Sequence, residues 1–420
     1  MKILLYTHEI AINMAGGAEK VLASMANALI KKGYEVTVAC SSEKEGALFY
    51  PLDEKVKFVN LNFIDFAEKD MVSTKRNFFE EFLYKNLLDK EAFLESKKFS
   101  DKFVAFLEQE KPDLIISYYI HTYRHISYCK DLNIPTIIMM HSHPDRFFKF
   151  YGTKYFPINR LILNKIDICQ VLLPSHVKSI KQYFYGDVEV IANAISALSP
   201  DIISDKEKTD KTILTISRFD KHKRQDILIE AFGLIAHKHP DWQLHLYGQF
   251  DSEKTKEYIF ELIKKYNIDE RIKYKGATLE PLNVMQEADI FVLPSDFEGF
   301  SIATAEAMSV GLPSIAFKDC EGLSELIINN KTGFLTEKTP QDLAKHIEIL
   351  IENPDLRLEF SKNAKERIKE FAPEIVWDKW ENAIKKAVLI HNKKSIRKFF
   401  ILFFLYINIF FTGILKQLKR

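Results

Sequence analysis

The feature that most constrains the fold is an alternation of short apolar runs with amphipathic segments, repeated in both halves of the chain. Most of the apolar runs are rich in β-branched residues and lack polar–apolar alternation, which is typical of strands buried on both faces of a parallel sheet. The first half contains seven predicted strands: Lys2–Thr7, Glu35–Cys40, Val56–Leu61, Asp113–Tyr119, Thr136–Ser142, Ile168–Ser175 and Val188–Asn193. The second half contains five: Thr212–Ser217, Trp242–Gly248, Ile272–Gly276, Ile290–Ser295 and Pro313–Lys318. Strands that alternate with helices predict two α/β units with parallel sheets and right-handed crossovers.

Length and local composition predict the domain organisation. A chain of 420 residues is too long for one ordinary core. We predict an N-terminal Rossmann-like domain over residues 1–196 and a C-terminal one over 197–371. The charged segment 199–212 has the composition of a linker, and the segment at about 62–110 interrupts the strand–helix rhythm, so we interpret it as an insertion.

Composition excludes several classes of protein. The formal net charge is +1, which gives no general electrostatic attraction to nucleic acid. The first apolar run is too short for a secretory signal peptide. The cysteines are scattered and form no Cys-x-x-Cys pair, which favours a reduced compartment over a disulfide framework; they are Cys40, Cys129, Cys169 and Cys320.

Two features of the first half follow predicted strands, where open parallel sheets bind their ligands. Gly16 and Gly17 open the first predicted helix. Paired glycines let backbone amides approach an anion there, although a tight packing turn is the alternative interpretation. His141 follows the apolar run Thr136–Met140 at the carboxyl end of the fifth predicted strand and is able to contact a reacting group, unless it is a structural histidine.

Two features of the second half occupy corresponding positions. Arg218 and Lys223 follow the strand Thr212–Ser217 and suit a diphosphate, although a generically basic solvated loop is the alternative. Glu298 and Glu306 flank the start of a predicted helix, where free amides favour a phosphate. Two carboxylates in this setting are able to accept hydroxyls of two different sugars.

Taken in order along the chain, these motifs resemble those of family 4 of the retaining glycosyltransferases. Gly16–Glu19 resembles the family's first glycine-rich loop, Ser217–Lys223 resembles its phosphate loop, and Glu298–Glu306 matches its Glu-x7-Glu signature. Further similarities are the Pro-Asn-Gly-like element Ile191–Ala194 and the C-terminal motifs Gly311–Pro313, Gly322–Ile327 and Gly333–Leu335. Departures from the usual glycine stand at Ala194, Ser217 and Ser301, and none of them removes a charged group.

The resemblance implies the α/β GT-B fold, in which two Rossmann-like domains turn their parallel sheets toward a cleft. It also implies that a helix at about 372–392 crosses back to the N-terminal domain. The donor would be a nucleotide-diphosphate sugar, most often a UDP-sugar, with a hexose or N-acetylhexosamine transferred to a hydroxyl. The retaining family needs no protein nucleophile, no metal and no other cofactor. We find no Asp-x-Asp pair placed to hold Mg²⁺ against a diphosphate.

The resemblance assigns a role to each motif residue. Arg218 and Lys223 would bind the diphosphate, Glu306 the ribose and Glu298 the donor sugar, and His141 would lie near the attacked anomeric centre. The catalytic residues are thus His141, Glu298, Arg218 and Lys223. The donor-binding residues are Gly16, Gly17, Arg218, Lys223, Glu298, Phe300, Ser301, Ile302 and Glu306, of which Phe300–Ile302 would contribute backbone.

Three rival functions stay open at this point. They are a sugar-nucleotide epimerase of the same fold, a non-catalytic membrane-associated module, and a nicotinamide oxidoreductase. The complete set of charged donor residues disfavours the module, and a missing Gly-x-Gly-x-x-Gly fingerprint disfavours the oxidoreductase. An epimerase acts on a soluble substrate, which does not explain the C-terminal tail.

The tail, residues 393–420, places an apolar run at 399–415 between two basic clusters. As a helix this run would be about 26 Å long, slightly short of a ~30 Å hydrocarbon core. Basic residues at both ends also disfavour a membrane span, so we favour a helix lying in the membrane interface. Basic aromatic segments at 146–151 and 154–165 would join this contact. The expected location is the cytoplasmic face of the inner membrane, as a peripheral or monotopic protein, and the expected acceptor is a lipid-linked or membrane-anchored glycan.

Overall fold

A computed structural model describes residues 1–7, 12–13, 16–63, 90–118, 133–151, 163–196, 211–393, 402–405 and 407. The chain divides into two compact units. The first combines Met1–Ala192 with Trp377–Arg420, and the second is Asn193–Val376. The C-terminal segment therefore belongs to the same unit as the N-terminal half.

The first unit is built on a parallel sheet of seven strands. The strands are β1 (Lys2–Tyr6), β2 (Glu35–Cys40), β3 (Lys57–Asn60), β4 (Leu114–Ser117), β5 (Thr136–Met139), β6 (Ile168–Val171) and β7 (Asp187–Val190). Their order in the sheet is β3-β2-β1-β4-β5-β6-β7. The direction of winding reverses between β1 and β4, which is the position where open α/β sheets form their ligand crevice.

Most of the described helices of the first unit lie between its strands, and the first of them shows the sequence pattern of an amphipathic helix. The helices are α1 (Gly17–Lys31), α2 (Lys90–Glu110), α3 (Pro144–Tyr151), α4 (Ser175–Ile180) and, mostly within this unit, the C-terminal helix Pro373–Asn392. In α1, Val21, Leu22, Met25 and Leu29 form the buried stripe of an amphipathic helix. Gly33 follows the helix with a positive φ of 84°, a conformation that favours glycine.

The second unit repeats this design with a parallel sheet of six strands. These are β8 (Lys211–Ile216), β9 (Trp242–Tyr247), β10 (Ile272–Tyr274), β11 (Ile290–Leu293), β12 (Ser314–Phe317) and β13 (Gly333–Thr336). Their order is β10-β9-β8-β11-β12-β13, so the winding reverses between β8 and β11. The loops after these two strands carry the two sets of charged residues that the sequence singled out.

The helices of the second unit connect its strands and share a core with its sheet. They are α5 (Gln225–Ile235), α6 (Glu253–Lys265), α7 (Pro281–Gln286), α8 (Ile302–Ser309), α9 (Glu321–Ser324), α10 (Pro340–Glu352) and α11 (Pro354–Ile368), followed by α12 (Pro373–Asn392). One continuous core joins sheet and helices, with Phe232, Trp242, Leu244, Ile347 and Phe360 buried together. A rigid core of this kind fixes the loops at the carboxyl edge of the sheet.

The structure corrects the predicted strands in two respects. It adds β13, which pairs in parallel with β12 and was predicted only as a family motif. It also ends several strands earlier than predicted; the run Ile168–Ser175, for example, leaves the sheet after Val171, and α4 begins at Ser175.

Some predicted segments lie wholly or partly outside the described residues. These are 64–89 of the predicted insertion, 197–210 around the predicted linker, 152–162, and most of the tail beyond residue 393. Within the described part of the chain, no helix combines the length and the apolar character needed to cross a membrane.

Candidate active site

The reversal of winding in the second unit brings two charged loops together. β8 and β11 are hydrogen-bonded neighbours, with Ile213 opposite Ile290. The loops that leave their carboxyl ends therefore run side by side, and the Asp296 N–H donates to the His222 carbonyl over 2.7 Å. Residues about 75 positions apart in sequence thus face one another at one edge of the sheet.

Lys223 and Glu298 form the central contact of this edge. The Lys223 Nζ lies 2.6 Å from the Glu298 Oε1. Their side chains are 21% and 13% exposed, respectively, so the pair is shielded from water but reachable by a ligand. An ammonium and a carboxylate in this position suit a phosphate and a sugar hydroxyl, respectively.

Arg218 lies in the same loop and is held by Asp220. The Arg218 Nε and Nη2 donate to the Asp220 Oδ2 over 3.2 and 3.0 Å. The other oxygen of Asp220 accepts the His222 backbone N–H at 2.8 Å. Burial acts to raise the pKa of Asp220, but the His222 amide and the Arg218 guanidinium outweigh it and lower that pKa. Asp220 therefore stays ionised and keeps the 69% exposed guanidinium at the edge.

Two further residues shape the end of β8. Gln225 is buried, and its Nε2 donates to the Ser217 Oγ and to the Arg218 carbonyl, both at 2.9 Å. Gly248, at a φ of 144°, lies so close that an added Cβ would be 1.9 Å from the Ser217 carbonyl oxygen. Sequence reasoning missed Asp220, Gln225 and Gly248. The signal available for them was their position: Asp220 lies two residues from Arg218, Gln225 begins the helix that follows the Arg218 loop, and Gly248 ends a predicted strand.

The start of α8 supplies backbone rather than side chains to this edge. Ser301 caps the helix, with its Oγ accepting the Thr304 N–H at 3.3 Å. Phe300 is buried against Phe371, with ring centroids 5.1 Å apart. Any contact that Phe300 or Ser301 makes with a ligand is therefore expected to come from main-chain groups. Glu306, one turn into α8, is only 7% exposed.

The loop after β12 packs closely against the main chain of Glu298. Gly322 has no room for a side chain, since an added Cβ would lie 2.3 Å from the Glu298 carbonyl oxygen. The Cys320 thiol is buried. Burial, assisted by the charge of Glu298, raises the pKa of Cys320 to about 12, so its sulfur is an inert thiol.

In the first unit, Gly16 caps α1 with an extended backbone. An added Cβ at Gly16 would lie 2.1 Å from the Glu19 Oε2, so glycine makes room for that carboxyl group. Burial raises the pKa of Glu19. Gly17 begins the helix itself. Gly16 thus has a packing role here, in addition to the anion-binding role that the position of the glycine pair predicts.

His141 lies at the carboxyl edge of the first sheet, just past β5. Its ring is 4.3 Å from that of Tyr118, which follows β4. The Tyr118 hydroxyl donates to the Ala18 carbonyl at 2.6 Å. Tyr118, a residue that sequence reasoning missed, thereby links His141 to the start of α1 where Gly16 and Gly17 lie.

A possible metal-ligand group in the second unit lies away from this edge. His239, Glu348 and Glu352 offer ligand atoms within 4.8 Å of one another. His239 precedes the amino end of β9, opposite the edge that carries Arg218 and Glu298. The Lys238 Nζ already lies 2.9 Å from the Glu348 Oε1, so we interpret this group as a surface ion-pair network.

Comparison with known proteins extends over nearly the whole chain. The family described as "Glycosyltransferase Family 4" matches residues 15–197, and the family "Glycosyl transferases group 1" matches residues 201–367. The chain is 26% identical to an uncharacterized glycosyltransferase of Haemophilus influenzae, across 89% of this chain and 97% of that protein.

A second relative is a Campylobacter jejuni protein named N-acetylgalactosamine-N,N'-diacetylbacillosaminyl-diphospho-undecaprenol 4-alpha-N-acetylgalactosaminyltransferase. It is 27% identical over 44% of this chain, and the chain spans about half of its length, 49%. Among solved structures, a Staphylococcus aureus TarM variant in complex with fondaparinux, alpha-GlcNAc-glycerol and UDP is similar in fold. That similarity has a TM-score of 0.71 at 19% identity and covers 91% of this chain and 99% of that one. Two parallel Rossmann-like sheets and both family matches make this chain a glycosyltransferase of the family 4 type with the GT-B fold.

Proposed function

We propose that this glycosyltransferase transfers a hexose or N-acetylhexosamine, with retention, from a UDP-sugar to a hydroxyl of a lipid-linked or membrane-anchored glycan. The observation that carries the proposal is the meeting of Arg218, Lys223 and Glu298 at the edge between β8 and β11. The two cations suit the diphosphate of a nucleotide sugar, and the carboxylate suits a hydroxyl of its sugar. UDP is present in the similar solved structure.

In the proposed reaction, charge develops on the β-phosphate as the bond to the anomeric carbon breaks. Arg218, Lys223 and the backbone amides at the start of α8 neutralise that charge, which is the strongest form of electrostatic help to a leaving group. Glu298 accepts a hydrogen bond from a hydroxyl of the donor sugar, and Glu306 accepts one from a hydroxyl of the ribose. Arg218 and Lys223 supply the positive charge that a divalent ion supplies in other enzymes, so we propose a metal-independent reaction.

The acceptor hydroxyl attacks on the face that the phosphate leaves, and the departing phosphate oxygen takes its proton. This route balances protons without a protein nucleophile and gives retention. His141 is assigned to the region of the anomeric centre. Exclusion of water at this step prevents hydrolysis of the donor.

The tail supports a membrane-bound acceptor. Phe403 and Phe404 expose 50% and 66% of their surface, and Leu389 at the end of α12 exposes 61%. Apolar side chains beside the basic cluster that begins at Lys393 suit an interface rich in anionic headgroups. We therefore propose a peripheral or monotopic enzyme on the cytoplasmic face of the inner membrane, where sugar nucleotides are available. The undecaprenol-linked substrate in the name of the Campylobacter relative supports the same class of acceptor.

The test is transfer of label from radioactive UDP-GlcNAc, UDP-GalNAc and UDP-glucose into the organic-extractable lipid of added bacterial membranes. The purified full chain should label that fraction with at least one donor, and Glu306→Ala should not. Conversion of one UDP-sugar into its epimer would identify the rival epimerase instead. Absence of both products with all three donors would contradict the proposal.

A further inference from the structure

Both cations of the candidate diphosphate site are already paired with a carboxylate of their own unit. Lys223 pairs with Glu298, and Arg218 pairs with Asp220. A diphosphate must therefore compete with internal partners for these side chains. The identity of each partner decides what that competition costs.

The partner of Lys223 differs in kind from the partner of Arg218. Asp220 keeps the His222 amide as a partner when Arg218 moves, and the Arg218 side chain is 69% exposed, so water screens its loss. The Lys223 and Glu298 side chains, by contrast, are only 21% and 13% exposed, and the Lys223 Nζ lies 2.6 Å from the Glu298 Oε1. Separating a shielded pair leaves the carboxylate with neither a cation nor bulk water, and this is expensive unless another donor reaches it.

Donor chemistry supplies that replacement only when the sugar is attached. A hydroxyl of the transferable sugar is able to donate to Glu298 while Lys223 turns to the β-phosphate. Free nucleoside diphosphate brings the phosphate but no such hydroxyl. Lys223 must then remain with Glu298 or leave the carboxylate unsatisfied.

We propose that Glu298 is a specificity determinant that favours the intact nucleotide sugar over the free nucleoside diphosphate, through its ion pair with Lys223. After transfer, Glu298 recaptures Lys223 and so promotes release of the spent nucleotide. This inference rests on the proposed function, because it assigns the phosphate and the sugar hydroxyl to these two side chains.

Calorimetric titration of the full chain with UDP and with UDP-GlcNAc, UDP-GalNAc and UDP-glucose tests the inference. Glu298→Gln keeps the shape of the side chain and removes its charge. We expect this variant to bind UDP about tenfold more tightly than the wild type, without any gain for the UDP-sugars. The preference for sugar-bearing nucleotide should then fall by tenfold or more.

Asp220→Asn is the matched control. It removes the charge that holds Arg218, and its amide oxygen is still able to accept the His222 N–H. We expect it to change UDP and UDP-sugar affinities by the same factor, leaving their ratio as in the wild type. Circular dichroism and thermal melting verify that both variants are folded.

Three results would overturn the inference. Weaker UDP binding by Glu298→Gln would show that Glu298 orients Lys223 toward phosphate. An unchanged ratio in Glu298→Gln would show that the ion pair plays no part in discrimination. Failure of UDP and of all three UDP-sugars to bind the wild type would overturn the proposed function itself, and this inference with it.

Discussion

Replacement of Gly322 by alanine tests how tightly the position of Glu298 is set. An added Cβ would lie 2.3 Å from the Glu298 carbonyl oxygen and 2.7 Å from the Glu298 Cβ. Ordinary contacts of this kind begin near 3.4 Å. The loop carrying Glu298 must therefore move by about 1 Å, and a displacement of this size costs roughly 100-fold in rate when it misplaces a group near the reacting bond.

We expect Gly322→Ala to lower kcat/KM for sugar transfer about 100-fold, equivalent to about 2.7 kcal/mol. Overpacking should also cost roughly 1–3 kcal/mol of stability. That cost corresponds to a Tm lower by about 2–4 °C for each kcal/mol in a unit of this size. The assay is initial-rate transfer with the donor varied, beside a thermal melt of the same preparation.

Gly33→Ala is the control, because it also replaces a glycine by alanine. Gly33 has a φ of 84° and nothing within 4 Å of an added Cβ, so the substitution strains the backbone without moving a neighbour. It should lower the Tm through a left-handed alanine, at about 1–2 kcal/mol, and leave kcat/KM unchanged. Wild-type activity in folded Gly322→Ala would refute the reasoning. An equal loss in Gly33→Ala would show that stability, not the position of Glu298, controls the rate.

Four further predictions concern the donor site, metals, the thiol and the tail. Arg218→Ala and Glu306→Ala should each lose most turnover while staying folded, since one preorganised charge contact contributes roughly 2.7–4 kcal/mol; near wild-type kcat in both purified variants would contradict the donor assignment. Activity should persist in excess EDTA because Arg218 and Lys223 meet the diphosphate, whereas full loss that Mn²⁺ or Mg²⁺ restores would contradict this. The raised pKa of Cys320, about 12, keeps it protonated at pH 8, so peptide mapping after iodoacetamide treatment of the folded protein should find it unmodified. A chain ending at Asn392 should fractionate as soluble at low salt while the full chain sediments with membranes; equal solubility of both would remove the support for an anchor.

Sequence reasoning worked best where the physics is local. The run Glu35–Cys40, for example, was predicted with its observed ends. A strand buried on both faces reads as a nearly continuous apolar run rich in β-branched residues, and this pattern is visible in the sequence alone. β13 was missed as a strand because four residues beginning with glycine carry little intrinsic strand signal.

The candidate site also has a part that the sequence predicted and a part that only the structure shows. Motif spacing singled out Arg218, Lys223, Glu298 and Glu306 as candidates, because they lie in the loops after strands or near the start of a helix. It did not reveal the pairing of Lys223 with Glu298, because that contact depends on β8 and β11 being neighbours in the sheet.

Residues that support the site were harder to find from sequence. Gly322 and Gly248 matter through contacts with backbone far away in sequence. A single sequence shows that a glycine is present but not what an added Cβ would meet. Asp220 lies two residues from Arg218, yet its role depends on the turn that lets one carboxylate reach both the guanidinium and the His222 amide.

The anomeric configuration of the product tests the central claim most directly. The purified enzyme is incubated with the UDP-sugar that labels membrane lipid and with the matching acceptor, and the glycoside is examined by NMR. Retention predicts that the new linkage has the α configuration of the sugar in the donor, with no product from Glu306→Ala. A β-linked product from an α-linked donor would contradict the proposed reaction.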